Sequence, residues 1–278
     1  MDEARIGTLI ETIYASAFEE DGWDSVLQTL RTEFHAASVT SLMSNKLNAA
    51  PMFAISTISD QSCVNDFENY YHAVEPGLHD VLENIDMFAR RGVFPSSDLI
   101  PLSEYLNCEF YRDFGRHYDF CKGMISIIGN DSFSLANIKL HRPLSSEDFT
   151  KEESELLATL SPHLNRGLQM YRELEGLRGK AGLFEAAFDA LGAAFLLDAS
   201  GRVLMLNKGA GQLLEGGGVL SLIDGRLGAR HAADDAVLAA AFAPSRPGAA
   251  PADIVLRGGA MAAGLQLAIT PVKGRNIP

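Results

Sequence analysis

Aromatic side chains are concentrated around two predicted helices in the middle of the first 120 residues. Phe67, Tyr70 and Tyr71 fall on one helix, Phe88 lies in the segment that follows, and four more rings occur between residues 105 and 114. A pocket for a small molecule is typically apolar and aromatic, with a few polar groups that orient the ligand. The same rings could instead form a filled core, and the pattern alone leaves both interpretations open.

We interpret this cluster as a ligand pocket in which one of the carboxylates interspersed among the rings, on Glu75, Asp80 or Asp86, is the polar group that orients the ligand. Tyrosine suits such a pocket because it combines a flat apolar face with one hydroxyl group. The predicted ligand-binding residues are Tyr70, Tyr71, Glu75, Phe53, Phe67, Phe88, Phe110, Phe114 and Met124. The alternative is an interaction module that binds no small ligand and whose rings fill the interior.

Four potential metal ligands occur in the same region, namely His72, His79, His117 and Cys121. His117 and Cys121 are four residues apart, which suits two ligands on one helix, but no second pair with metal-binding spacing accompanies them. We therefore predict no metal and no cofactor. An enzyme with Cys121 as nucleophile and His117 as base is a further hypothesis, and it would require a thiol of lowered pKa. Because the chain has no GxSxG motif, we predict that the protein is not an enzyme.

The composition excludes several classes of protein. The 278 residues carry a formal net charge of −13, which argues against direct nucleic-acid binding because phosphate neutralisation needs clustered Lys and Arg. No apolar run is long enough to span a membrane, and the acidic N-terminus is unlike a signal peptide. With only three cysteines, the chain fits a reducing compartment, and we expect a cytoplasmic protein.

Charge and aromatic content both change near residue 178. The excess of acidic residues lies entirely in the first part, and the second part contains no Trp, Tyr or Cys. In the first part, strand pairs at 38–44 with 52–58 and at 124–129 with 135–141 are separated by helices. In the second part, strands at 193–197 and 202–206 precede a helix that Asn207 can cap. This order predicts α+β domains, each with an antiparallel sheet flanked by helices.

A long helix is predicted to join the two parts. Thr150 and Glu153 form a capping box, and an apolar stripe follows at steps of three or four residues, comprising Leu157, Leu160, Leu164, Leu168, Tyr171 and Leu174. Pro162 could kink this helix or open a new one. The stripe could cover its own domain or pair with a second subunit, and we favour a homodimer because it continues past the domain edge.

Glu75 directly precedes Pro76, and two tyrosines stand shortly before it. This run resembles a segment of the sensor domains of LuxR-type transcriptional regulators, in which an aspartate before a proline accepts a hydrogen bond from the ligand. The resemblance implies that Glu75 is the polar anchor of the ligand. The run 115–126 is similar to the glycine-containing loop before the central strand of that family, and 144–168 looks like its closing helix. Residues 193–214 resemble the opening of a PAS domain.

The resemblance implies a GAF-like domain over 1–178 and a PAS-like domain over 179–278. It also implies a dimeric regulator that senses a small apolar or aromatic molecule without a bound cofactor. The signal would reach DNA through a C-terminal helix-turn-helix domain, which no part of this sequence resembles. We therefore expect these residues to belong to a longer protein whose missing part carries the positive charge.

Overall fold

The computed structural model describes residues 3–198, 200–242, 252–257 and 264–270. The chain divides into two compact units, Met1–Leu177 and Arg178–Pro278. The predicted α+β class is confirmed, since antiparallel strands and helices occur together in both units. The identification of the units as GAF-like and PAS-like stays a prediction.

The first unit is built on a five-stranded antiparallel sheet with the order β2-β1-β5-β4-β3. Its strands are β1 (Ser38–Asn45), β2 (Pro51–Ser56), β3 (Val93–Pro95), β4 (Lys122–Asn130) and β5 (Ser134–Arg142). The Asp131 carboxylate accepts hydrogen bonds from the N–H groups of Phe133 and Ser134, which fixes the turn between β4 and β5. Both predicted strand pairs are confirmed.

Long helices cover one side of this sheet and short ones the other. The long helices are α1 (Glu3–Ser16), α2 (Gly22–Glu33) and α8 (Lys151–Ala190). The short ones are α3 (Gln61–Asp66), α4 (His72–Val74), α5 (Leu78–Glu83), α6 (Ile85–Arg91) and α7 (Leu102–Tyr105). Five-residue π-helical turns at Phe67–Tyr71 and Phe110–Phe114 interrupt the short set, and 3₁₀ turns occupy Ser96–Asp98 and Gly115–Tyr118.

Helix α8 begins with the predicted capping box. The Thr150 hydroxyl accepts from the Glu153 N–H at 3.2 Å, and the Glu153 carboxylate accepts from the Thr150 N–H at 2.8 Å. Pro162 lies inside one continuous helix. It removes the N–H that would bond the carbonyl of Ala158, but Ala158 is exposed, so water can satisfy that carbonyl.

The apolar stripe of α8 is buried within its own unit from Leu157 to Tyr171. These side chains share a core with Trp23, whose indole N–H donates to the Ser41 hydroxyl at 3.0 Å and whose ring stacks on Tyr171. The homodimer seam predicted for this part of the stripe is therefore wrong, because the leucines already cover the sheet and are not available to a second subunit.

In its described part, the second unit contains the end of α8, three antiparallel strand pairs and two further helices. The strand pairs are β6 (Phe195–Leu197) with β7 (Val203–Leu206), β8 (Leu220–Ile223) with β9 (Arg226–Ala229), and β10 (Ala252–Leu256) with β11 (Leu265–Ile269). The helices are α9 (Lys208–Glu215) and α10 (Ala232–Phe242). Asn207 caps α9 as predicted, since its side chain accepts from the Ala210 N–H at 2.9 Å.

Candidate functional site

Two neighbouring cavities lie between the sheet and the short helices of the first unit. The first chamber, about 50 Å³, is bounded by β1, β2, α3 and the aromatic residues Phe67, Phe110, Phe114 and Phe120. The second chamber, about 60 Å³, is bounded by β4, β5 and the segment from Pro76 to Tyr105. A water molecule needs about 10–15 Å³ measured in this way, so each chamber has room for a few waters.

An ion pair between Glu75 and Lys139 separates the two chambers. Their side chains are only 11% and 13% exposed, and both residues line both chambers, together with Phe110 and His141. Because Glu75 and Lys139 are 64 residues apart in sequence, the pair ties the end of α4 to strand β5.

Local backbone geometry explains the position of Glu75. A residue before proline is forced towards extended conformations, and Glu75 accordingly ends α4 with φ −65° and ψ 118°. Gly77 then turns the chain with φ +82°, and a Cβ there would stand 2.8 Å from the Cβ of Leu99. Proline and glycine together place the carboxylate between the helices and the sheet.

Two buried acceptor atoms at the chambers have no partner among the described residues. One is Oε2 of Glu75, whose other oxygen meets Lys139, and the second is Oδ1 of Asn137. Asn137 is 3% exposed and lines the second chamber. Because an unmet buried acceptor is costly, these atoms call for a hydrogen-bond donor inside the cavity.

His141 contributes a neutral ring to the site. Burial, reinforced by the nearby positive charge of Lys139, lowers the pKa of His141 to about 3. Its Nε2 lies 3.3 Å from the Thr40 hydroxyl, and its ring stacks on Phe120 with centroids 4.3 Å apart. The neutral ring thus lies beside the ion pair of Glu75 and Lys139 at the junction of the chambers.

The two π-helical turns form the aromatic wall of the first chamber. Tyr71 from one turn stacks on Phe114 from the other, with centroids 4.5 Å apart and planes 16° apart. Phe67 and Phe110 pack beside them. A π turn widens the helix by one residue and is frequent at functional sites, and here Phe67, Phe110 and Phe114 of the two turns line the chamber while Tyr71 packs behind them.

The structure brings four of the nine predicted site residues to the cavities: Glu75, Phe67, Phe110 and Phe114. Tyr71 lies behind the wall, in contact with two of those rings. Tyr70 is 51% exposed, and its hydroxyl donates to Glu109 at 2.6 Å, so it does not line either chamber. Its predicted ligand contact is not supported by this placement.

Three further predicted residues do not line either chamber. Phe88 packs on Phe94 in the apolar cluster that borders the second chamber through Val81, Ile125, Ile127 and Leu135. Phe53 and Met124 belong to the core on the opposite face of the sheet, because side chains alternate along a strand. A one-residue shift in the assumed facing of β2 and β4 is enough to account for both errors.

Sequence reasoning missed three cavity residues on β5, namely Asn137, Lys139 and His141. The signal was available as a row of polar residues at every second position in a strand that is otherwise apolar. Because successive side chains point to opposite faces, all three face the same side. The partner of Lys139 could not be read in this way, since it comes from a distant segment.

Metal and thiol chemistry find little support in this region. Among the residues that the structure describes, no group of three or more His, Cys, Asp or Glu could hold a metal ion. Burial raises the pKa of the Cys63 thiol to about 12 and also raises the pKa of Cys121. A nucleophilic Cys121 requires the opposite shift.

No protein family and no curated protein matches the sequence. The crystal structure of the VqsR LBD domain from Pseudomonas aeruginosa is similar at a TM-score of 0.45 and 17% identity, covering 62% of this chain and 96% of that one. The E. coli DhaR(N)-DhaL complex is similar at 0.30 and 10% identity, covering 96% and 83%. We draw no functional conclusion from similarities this distant. Within the described part of the chain, no helix combines the length and apolarity that a membrane crossing requires.

Proposed function

We propose that the first unit binds a small molecule in the two chambers and acts as the sensing region of a homodimeric, cytoplasmic LuxR-type transcriptional regulator. In this proposal the protein is not an enzyme, and it reaches DNA through a domain outside these residues. The observation that carries the proposal is the buried Glu75–Lys139 pair at the junction of two cavities, with one carboxylate oxygen still lacking a donor.

The lining of the chambers restricts the chemistry of the ligand. The first chamber is walled by phenylalanine rings, which suit an apolar or aromatic group. At the junction, Glu75 Oε2 and Asn137 Oδ1 need donors, so the ligand should carry an N–H or O–H group. Since the ion pair is already balanced, a charged ligand would leave an uncompensated charge in a buried site. The ligand class is therefore an uncharged apolar molecule with at least one hydrogen-bond donor.

Ligand binding can regulate only if it favours one conformation over another. Each chamber alone holds a few waters, so a larger ligand must occupy both and displace the Glu75–Lys139 partition. The proposed response is a shift of β5 relative to α4, which passes to α8 through the core on the other side of the sheet. The ligand then stabilises the conformation in which the two chambers are joined.

The small volume of the chambers favours a second candidate function. If the rings of the two π-helical turns fill the interior and leave no room for a ligand, the unit is an interaction module without a small ligand. This candidate predicts that no compound raises the melting temperature, whereas the sensor predicts that at least one donor-bearing apolar compound does so by mass action.

The test begins with mass spectrometry of small molecules that co-purify with the folded protein, followed by a thermal-shift screen of uncharged aromatic and aliphatic compounds. Affinity for the best compound is then measured in Ala54→Leu, which adds volume to the lining of the first chamber. We expect at least about tenfold weaker binding, about 1.4 kcal/mol.

The matched control is Ala73→Leu, the same substitution at an exposed residue of α4 outside both linings. It should bind like the unmodified protein. Equal affinity in Ala54→Leu and Ala73→Leu, or a screen without a single binder, would count against the sensor and favour the interaction module.

A further inference from the structure

Asn137 is a polar residue among aliphatic neighbours. It lies on β5, the central strand of the sheet, and its cross-strand partners are Leu42 of β1 and Ile127 of β4. Both partners are buried, and so is Leu135, two residues earlier on the same face. Asparagine is depleted in strands, and a buried amide is costly unless it is hydrogen-bonded. An aliphatic side chain would therefore suit the fold better at this position.

Three other polar side chains of the second chamber have partners of their own. The Ser96 hydroxyl accepts from a backbone N–H at 3.0 Å, and the Tyr105 hydroxyl donates to a backbone carbonyl at 2.6 Å. Lys139 is held by the carboxylate of Glu75. Asn137 differs, since among the described residues its Oδ1 has no donor and its Nδ2 has no acceptor, although the residue is only 3% exposed.

The side chain of Asn137 presents a hydrogen-bond acceptor and a donor next to each other. The group that meets both atoms at once carries its own N–H and C=O side by side, as a primary carboxamide or a lactam does. A ketone can only accept, so it would leave Oδ1 unpaired. A carboxylate also only accepts, and it would add an uncompensated charge to a buried site.

The size of the second chamber suits such a group. The chamber measures about 60 Å³ and has room for a few waters, and a carboxamide consists of one carbon, one oxygen and one nitrogen. The rest of the ligand would extend past the Glu75–Lys139 pair, which lines both chambers, towards the phenylalanine rings of the first chamber. The polar end and the apolar body of the ligand thus have different places in the site.

We propose that the second chamber is a subsite for a primary carboxamide or a lactam and that Asn137 is its specificity-determining residue. In this subsite Oδ1 of Asn137 accepts from the N–H of the ligand, and Nδ2 donates to the C=O of the ligand. The proposal rests on the ligand binding of the proposed function, and it adds the chemical group by which the ligand is recognised.

The experiment compares two matched compounds, hydrocinnamamide and benzylacetone. Both have a phenylethyl body attached to a carbonyl group, and they differ only because a methyl group in the ketone replaces the NH₂ of the amide. Isothermal titration calorimetry of the 278-residue protein measures both affinities. We expect the amide to bind at least about tenfold more tightly, because a site with a buried acceptor rejects an analogue that lacks the donor.

Two substitutions of Asn137 test whether this residue causes the preference. Asn137→Leu removes both polar atoms at similar size, and Asn137→Ala removes them without adding volume. Each should bind the amide at least about tenfold more weakly and lose the preference over the ketone. The melting temperature of Asn137→Leu should not fall, because an unpaired buried amide is replaced by an apolar group. A purely structural role of Asn137 predicts a lower melting temperature instead.

The matched control is Asn130→Leu, the same substitution at an exposed residue of the neighbouring strand β4 that lines neither chamber. It should keep the preference of the unmodified protein for the amide. Equal affinity of the unmodified protein for the two compounds, or a preference that persists in both Asn137 variants, would overturn the proposal.

Failure of this subsite can be told apart from failure of the proposed function. If neither compound binds although the thermal-shift screen identifies another ligand, the carboxamide subsite is wrong and the sensor stands. If the screen also finds no binder, both proposals are wrong.

Discussion

The two faces of the five-stranded sheet are built from alternate residues of the same strands, but one face is packed into a core and the other borders cavities. On one face, Ile138 and Leu140 of β5 are fully buried in a core with the leucines of α8. On the other face, their neighbours Asn137, Lys139 and His141 border two cavities. One face is a packed apolar core, and the other keeps space and polar groups.

The covering helices account for the difference. The packed face meets α1, α2 and α8, whose apolar stripes share one core of buried side chains with the sheet. The cavity face meets helices of three to seven residues, broken by π-helical turns and by Pro76 and Gly77. Such short pieces cannot present a continuous stripe, so voids remain between them. Interrupted helices on one side of a sheet are therefore a structural means of making a site.

We expect the largest difference between the two faces when one isoleucine on each is truncated to alanine and the loss in the free energy of unfolding is compared. Ile138→Ala removes buried atoms from the packed core, and we expect it to lower the free energy of unfolding by about 4 kcal/mol. Ile127→Ala removes the same atoms beside the second chamber, where fewer contacts are lost. We expect it to lower the free energy of unfolding by about 2 kcal/mol. Urea denaturation of both variants gives the comparison. Equal losses would mean that the cavity face is as tightly packed as the other.

The ion pair provides the next test of the cavity face. Lys139→Met leaves the Glu75 carboxylate buried without its partner, and we expect a loss of about 3 kcal/mol in the free energy of unfolding. The double variant Glu75→Leu with Lys139→Met replaces the pair by apolar groups and should lie within about 1 kcal/mol of the unmodified protein. If the double variant is less stable than Lys139→Met, the pair contributes to folding more than its polarity costs.

The smallest expected effect is the pH dependence that His141 gives to the free energy of unfolding. Its pKa is about 3 in the folded protein and near 6.5 in an unfolded chain, so below pH 6.5 only the unfolded chain takes up the proton. Stability is therefore complete above pH 6.5 and is lost as pH falls towards 3. Between pH 7 and pH 5.5 we expect a loss of about 1 kcal/mol.

Urea denaturation at the two pH values measures that loss, and His141→Gln is the control because it keeps a polar side chain that cannot titrate in this range. The difference between pH 7 and pH 5.5 should shrink by about 1 kcal/mol in the variant. An unchanged difference would show that His141 is protonated in the folded protein as easily as in the unfolded chain.

Local patterns predicted much of the fold correctly. Both strand pairs of the first unit, the capping box at Thr150 and the Asn207 cap depend on residues close in sequence, and the structure contains them all. The same dependence on residues close in sequence limited the prediction of the candidate site. Glu75 was identified from its place before Pro76, but Lys139 meets it only because α4 and β5 are brought together by the tertiary fold.

The remaining errors also have physical causes. Phe53 and Met124 were assigned to the pocket because aromatic and flexible side chains suit one, yet the facing of a strand depends on a register that a short apolar run does not reveal. Tyr70 was grouped with Tyr71, although adjacent residues of a helix point in different directions, and only Tyr71 packs on the rings of the wall. Strand β3 was missed because three residues carry too little pattern.

Strand β5 borders the cavities on one face and the core shared with α8 on the other. Lys139 touches the cavity, while Ile138 and Leu140, its immediate neighbours, sit in the core shared with α8. The sheet is a single layer at this point, so the cavity and the core of α8 are separated by one peptide unit on either side of Lys139. Under the proposed function, a ligand that displaces Lys139 from Glu75 would therefore act on the strand that packs against α8, with no layer in between.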